Sequence, residues 1–385
     1  MTSVVHGDVT VVGAGIIGAA CAFELARRGL RVTVVEAFDG PAEGSSGRSF
    51  ASVRAQWPDP LNIEISWRSI RRYRDFAVDY GFDVGYRPTG YLFLVPAMSW
   101  TDHLAAVDLQ RGHGVPVEVL DVEAAKRITP FNDDGIAGAT WGSADGAVDP
   151  HLATTAYLSM ARELGAQVRY GHRATQIEAV AASDGWVLTA ADTRFHSQHL
   201  VNAAGGWAGD VAALAGLSVP VVHSRRNVFS SAANAVPVPL PMTVDIETGV
   251  YLRSDGPRLL FGASRPDEVD GYNLSLDWPW MESVIEMALG RFPWLSEIPL
   301  DRTGAWAGTY ENSPDHRAIL GADPGAATWV NACGLSGHGV MQAPELGRLV
   351  AEQVADGAIT SLDVSDLQLS RFAGGKRISA LGMVF

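Results

Sequence analysis

Gly13, Gly15 and Gly18, followed by an acid at Glu36, are the residues whose types and spacing most directly imply chemistry. They form G-x-G-x-x-G. The first glycine permits a tight turn, the second lets backbone reach a pyrophosphate, and the third lets a helix pack closely on a strand. Ile16 and Ile17 open that helix, so their backbone belongs to the same candidate phosphate cradle at its positive N-terminal end. Glu36 stands where a carboxylate accepts hydrogen bonds from ribose hydroxyls, and an acid there disfavours the 2′-phosphate of NADP. FAD and NAD satisfy this pattern equally well.

The elements that must hold those residues are legible around them. Residues 8–12 read as a buried strand, a helix pattern runs to Arg28 and stops at Gly29, and 31–36 reads as a second apolar strand. Helices are expected from about 62 to 80, through Gly112, from Asp149 to near Gly165, over 278–291 and over 340–355. Short strands are expected at 90–95, 167–170, 174–180, 186–189, 200–204 and 329–332, with antiparallel strands at 219–230, 250–253 and 258–262. The pattern predicts an α/β chain: a Rossmann-type dinucleotide-binding domain with an inserted α+β domain built on a mainly antiparallel sheet. The expected division places 1–85, 145–218 and 320–385 in the first and 86–144 and 219–319 in the second.

Composition narrows the partners. The 385 residues carry a formal charge of −14, which argues against a nucleic-acid partner but not against a small anionic substrate. The two cysteines, Cys21 and Cys333, suit small core residues in a reducing compartment, and no metal-ligand cluster is apparent. The apolar stretch 9–22 is broken by glycines and preceded by no basic residue, so neither a signal peptide nor a transmembrane segment is expected, and the location read from this is cytoplasmic.

Five segments then occur in one order: the Gly13–Gly18 loop with Glu36, residues 44–48 (GSSGR), 202–207 (NAAGGW), 306–316 (WAGTYENSPDH) and 333–344 (CGLSGHGVMQAP). Together they resemble the D-amino-acid-oxidase-type FAD family, which includes glycine oxidase, sarcosine oxidase, D-arginine dehydrogenase and flavin subunits of L-proline dehydrogenase. The resemblance implies extended FAD and oxidation of a C–N bond by hydride transfer to flavin N5, giving an imine that hydrolyses to an oxo acid or aldehyde plus amine. It would place Ser45, Ser46 and Arg48 along the phosphates and ribityl chain, Ala174 at the adenine side, and Gly205 and Gly308 near the cofactor. Gly337, His338, Gly339, Val340 and Met341 would approach the pyrimidine edge of the flavin, where a helix N-terminus stabilises the charge that reduction creates. His338 is expected to serve through its backbone rather than as a base.

On the amine side the resemblance makes Arg54 the two-point anchor of a substrate carboxylate, with the Tyr251 hydroxyl beside it. Tyr310 stands where glycine oxidase and D-arginine dehydrogenase carry an arginine, and the segment from Tyr310 to His316 looks like the sarcosine- and proline-dehydrogenase branch. Ala51, Met341 and Leu260 replace an arginine and two lysines of sarcosine oxidase, the last of them oxygen-activating, which tilts the expectation from oxidase towards dehydrogenase. No cysteine lies near 306–310, so the FAD is expected to be non-covalent. The expected partners are a small amino acid or amine and an electron acceptor left open among oxygen, a quinone and a partner protein. A homo-oligomer or a hetero-complex is compatible with the pattern. The alternative reading is a flavoprotein subunit or assembly factor that docks through its apolar end, residues 378–385.

Overall fold

The structure is a computed structural model in which residues 3–180 and 185–373 are described; the apolar end at 378–385 lies outside them. A six-stranded sheet runs in the order Ile319–Asp323, Ala326–Cys333, His199–Asn202, Val9–Val12, Val32–Val35, Gln167–Arg169. All its pairs are parallel except the hairpin at the Ile319–Asp323 edge. Val9–Val12 and Val32–Val35 are buried at every residue, as parallel strands covered on both faces must be. One face carries the helices Ile16–Arg27, Pro60–Tyr80, Pro150–Glu163 and Gly339–Asp356. The other is covered by a four-stranded sheet of Ser3–His6, Thr193–Ser197, Gly185–Ala190 and Ala174–Val180.

The antiparallel strands belong to an eight-stranded sheet in the order Trp306–Asn312, Val222–Ser230, Arg258–Gly262, Tyr251–Asp255, Met242–Asp245, Tyr91–Pro96, Ile136–Gly142, Val117–Leu120. Only the pairing of Met242–Asp245 with Tyr91–Pro96 is parallel. The period-two pattern sorts its side chains: Leu92 and Leu94 join the core under helix Trp278–Arg291, while Tyr91, Phe93 and Tyr251 form a cluster on the opposite face. Strands Val117–Leu120, Ile136–Gly142 and Trp306–Asn312 lie in segments that the sequence reading left as turns or unassigned. Glycines and short polar runs hid their alternation.

Helix ends follow local chemistry. Asp59 and Asp149 each precede a proline and cap the following helix through the side chain. Helix Gly339–Asp356 contains Pro344, which has no N–H to give the carbonyl four residues back, at Val340. The Tyr73 hydroxyl of the neighbouring helix donates to that carbonyl at 2.6 Å. Ser69 adds to the seam, donating to the Gln342 carbonyl and accepting from the Glu345 N–H.

Tyr73→Phe should therefore leave the Val340 carbonyl buried and unpaired, at a cost of about 1–3 kcal/mol. Restoring the helix bond with Pro344→Ala should shrink that cost. Thermal unfolding of the two single variants and the double variant measures the coupling, and a Tyr73→Phe penalty unchanged by Pro344→Ala would refute this account.

Candidate active site

A cleft of about 310 Å³ runs across the C-terminal ends of the parallel strands, where open α/β sheets bind ligands. Gly13, Gly15, Ile16, Ile17 and Glu36 line its first part. Gly18 lies behind them: a Cβ there would fall 1.9 Å from the Gly13 carbonyl oxygen, so only glycine lets the helix start against the turn. Glu36 is already engaged, accepting from the N–H of Ala14 at 2.6 Å and of Phe38 at 2.9 Å. It fastens the glycine loop as well as facing the cleft.

Ser45, Ser46, Arg48, Ala174, Gly205 and Gly308 line the middle of the cleft. Ser46 Oγ accepts from the Ile16 N–H at 3.0 Å and so closes over the glycine loop. Gly337, Gly339 and Val340 bring the start of helix Gly339–Asp356 to the same wall. Backbone donors, a helix N-terminus and a carboxylate spaced in this way fit a dinucleotide.

A second, smaller cavity opens beside the first, and Ser49, Phe50, Tyr251, Tyr310 and Gly337 line both. Ala51, Ser52, Arg54, Tyr91, Met242, His338 and Met341 complete its wall. Gly337 has φ +94°, and a Cβ on it would strike the Tyr310 ring at 2.5 Å. His338 is buried against Trp57, with ring centroids 4.4 Å apart, and burial together with the Arg54 charge holds it neutral. Leu260 is buried in its strand and, among the described residues, is not part of either wall.

Arg54 is fixed from several sides. Its guanidinium stacks on Trp57 at 3.7 Å, donates to the Gln56 carbonyl, and faces the rings of Tyr91 and Phe93. Burial pulls it below the ordinary arginine range, opposed by Tyr91 and Asp145. Asp145 is wholly buried, accepts from the Ala55 N–H at 2.9 Å and from Gln56 Nε2 at 3.0 Å, and is pushed up to about 7 by desolvation. Gln56 in turn accepts from Thr140, whose single hydroxyl proton is then spent, so the His103 Nε2–H must be the donor to Thr140. This chain fixes the peptide that carries Arg54.

Sequence reasoning missed Arg226. It sits in strand Val222–Ser230, lines the larger cleft, and holds its guanidinium 4.6 Å over the Tyr310 ring. Its Nη1 bonds Ser224 and its own neighbour's carbonyl, while Nε is buried with no hydrogen-bond partner among the described residues. The signal was present as an arginine inside an apolar strand. Strand alternation alone did not say which face it took. Glu311, also on the cleft wall, is buried and pushed up to about 7.

Comparisons with known proteins agree with this geometry. A family model described as FAD dependent oxidoreductase matches residues 8–353. The chain is 28% identical to FAD-dependent oxidoreductase domain-containing protein 1 of Bos taurus, over 97% of this chain and 86% of that protein. The solved structure of L-proline dehydrogenase from P. horikoshii superposes with a TM-score of 0.88 at 28% identity, covering 96% of this chain and 98% of that one. Glycine oxidase from Geobacillus kaustophilus superposes with a TM-score of 0.83 at 26% identity, covering 96% and 100%.

The raised pKa of Asp145 makes a stability prediction for the cofactor-free chain. The fold favours its neutral form, so stability is greatest below the unfolded carboxyl value and falls as pH rises towards about 7. One such group contributes a slope of about 1.4 kcal/mol per pH unit in that window. Denaturant titrations across the window should show Asp145→Asn less steep than the parent by about one proton. Identical slopes would mean that Asp145 stays ionised.

Proposed function

The chain thus belongs to the FAD-dependent oxidoreductase family, and from that premise we propose that it oxidises the C–N bond of a small amino acid or N-alkyl amino acid. When bound, FAD supplies the hydride acceptor, N5. The observation that carries the reading is a buried guanidinium, Arg54, in a small cavity continuous with the cofactor cleft. Arg54 with the Tyr251 hydroxyl holds the substrate carboxylate, which fixes the orientation of the carbon beside the nitrogen. The Arg54 charge also favours loss of the ammonium proton, since a cation beside a buried amine lowers its pKa. Tyr91, Tyr310 and Met242 exclude water and limit substrate size. His338, held neutral by burial, acts as part of the turn against the cofactor and not as a base.

We assign 1–85, 145–218 and 320–385 to the cofactor side and 86–144 and 219–319 to the substrate side. The distribution of strands between the parallel and the antiparallel sheet supports that division. Secondary or N-alkylated amino acids fit best, with D-amino acids the close alternative; likeness to an L-proline dehydrogenase supports the first. Leu260, uncharged where an oxygen-activating lysine would stand, favours a dehydrogenase. Both cysteines are fully buried in the core, which supports non-covalent FAD.

Arg226 favours one variation on this reading, in which it takes the carboxylate from the other side of Tyr310. The experiment is anaerobic bleaching of the yellow protein by glycine, sarcosine, proline, dimethylglycine and a panel of D- and L-amino acids. One class should bleach the flavin. Arg54→Met should then weaken the apparent affinity roughly 10- to 100-fold, the worth of a charge-assisted hydrogen-bond pair. Unchanged affinity in Arg54→Met with loss in Arg226→Met would transfer the anchor to Arg226. Failure of every amine to bleach would refute the reaction class.

A further inference from the structure

We infer that Glu311 is a proton-linked group of the cofactor cleft, taking up one proton when the flavin is reduced and releasing it on reoxidation. The inference rests on FAD occupying the larger cleft and is independent of which substrate reduces it.

Glu311 lies on strand Trp306–Asn312 beside Tyr310 and is one of the residues that line the cleft. Oε2 accepts from the Gly334 N–H at 3.2 Å. A Cβ built on Gly205 would lie 3.9 Å from Oε2, and one on Gly339 would lie 3.8 Å from Oε1. The carboxylate is thus set between two glycines that bare their backbone to the cleft. Among the described residues no arginine, lysine or histidine lies within ion-pair distance of it. A buried carboxylate without a cation is poised between its charged and neutral forms, and burial pushes Glu311 up to about 7.

The groups facing it leave that poise to Glu311. From the paired strand, His223 stands opposite in register, bonds Thr309 through Nδ1, and is held towards its neutral form by burial. Cys333 on the neighbouring strand is a buried thiol pushed well above its ordinary range, and His338 is held neutral. Asp210 and Arg48 line the same cleft from helix Ala208–Ala213 and the turn Ser46–Arg48, and Arg226 lines it from strand Val222–Ser230.

Reduction of oxidised flavin by two electrons and one proton adds one negative charge. A second, ionised carboxylate in the same low-dielectric cleft is disfavoured by that charge, so the Glu311 carboxylate plus one proton becomes the carboxylic acid. Two protons then accompany two electrons wherever Glu311 is ionised in the oxidised protein and neutral in the reduced one.

The test is the midpoint potential of the FAD-loaded protein, titrated with dithionite against indicator dyes across pH. Below the Glu311 pKa of the oxidised, FAD-loaded protein the potential should fall with the slope of one proton per electron pair, and between that pKa and the higher one of the reduced protein with twice that slope. Glu311→Gln should keep the single-proton slope throughout and should lie at higher potential than the parent on the alkaline side, where the parent retains its negative charge. Reduced-minus-oxidised infrared spectra of the parent between those two pKa values should gain the C=O stretch of a protonated carboxyl, a readout that needs no variant. A single-proton slope in the parent at every pH, no carboxyl band, or a doubled slope persisting in Glu311→Gln would each overturn the inference. A protein that holds no flavin would instead refute the assignment of the cleft.

Discussion

Burying a guanidinium is the constraint around which the site is built. Moving Arg54 out of water costs several kcal/mol unless its donors and its charge are met. The chain meets them with elements far apart in sequence: the Trp57 face, the Gln56 carbonyl and the aromatic face of strand Tyr91–Pro96. Each is then committed to a further contact. Trp57 Nε1 donates to Ser66, Gln110 donates to the Trp57 carbonyl, and Gln56 donates to the Tyr91 carbonyl and to Asp145. Helix Pro60–Tyr80 and strand Tyr91–Pro96 are thereby tied together around a charge held away from water.

The cofactor end depends on a different economy, that of backbone groups. A helix that begins at a ligand leaves its first N–H groups free, and the turn before it must come close to whatever lies opposite. Ser336 and Gly337 both take positive φ, and the Tyr310 ring fills the space that a Gly337 side chain would need. One turn further on, Pro344 removes a helix bond and Tyr73 from the crossing helix replaces it. Helix Gly339–Asp356 is thus aimed at the cleft by its neighbour as well as by its own ladder.

These dependencies explain what could be read in the sequence. The glycine loop, the helix behind it and the buried strands were legible because each rests on contacts within about thirty residues and on an unbroken periodicity. Arg54, Tyr251 and Tyr310 were placed by resemblance, and the structure brings them to one small cavity. Arg226 was not placed in the site, and Glu311, beside Tyr310, read equally as part of the pocket mouth or as a structural partner, because their environment comes from the register between strands Val222–Ser230 and Trp306–Asn312. That register pairs segments some eighty residues apart, and the second strand was not recognised. The network of Asp145, Gln56, Thr140 and His103 is likewise non-local: each member alone reads as an ordinary polar residue.

Charge in this protein is organised by depth. The formal charge of the whole chain is −14, yet the two cations nearest Tyr310 are arginines, with Arg226 over its ring and Arg54 in the cavity that Tyr310 helps to wall. Surface charges act through water and salt and fade within about 8–10 Å, whereas charges in the cleft act through protein. A small anion that reaches the cavity therefore responds to the arginines more than to the acidic exterior. The two buried carboxyls, Asp145 behind Arg54 and Glu311 at the cleft wall, are both pushed up to about 7. Each can shed its negative charge at little cost, so neither need cancel the field that the arginines direct at a bound carboxylate.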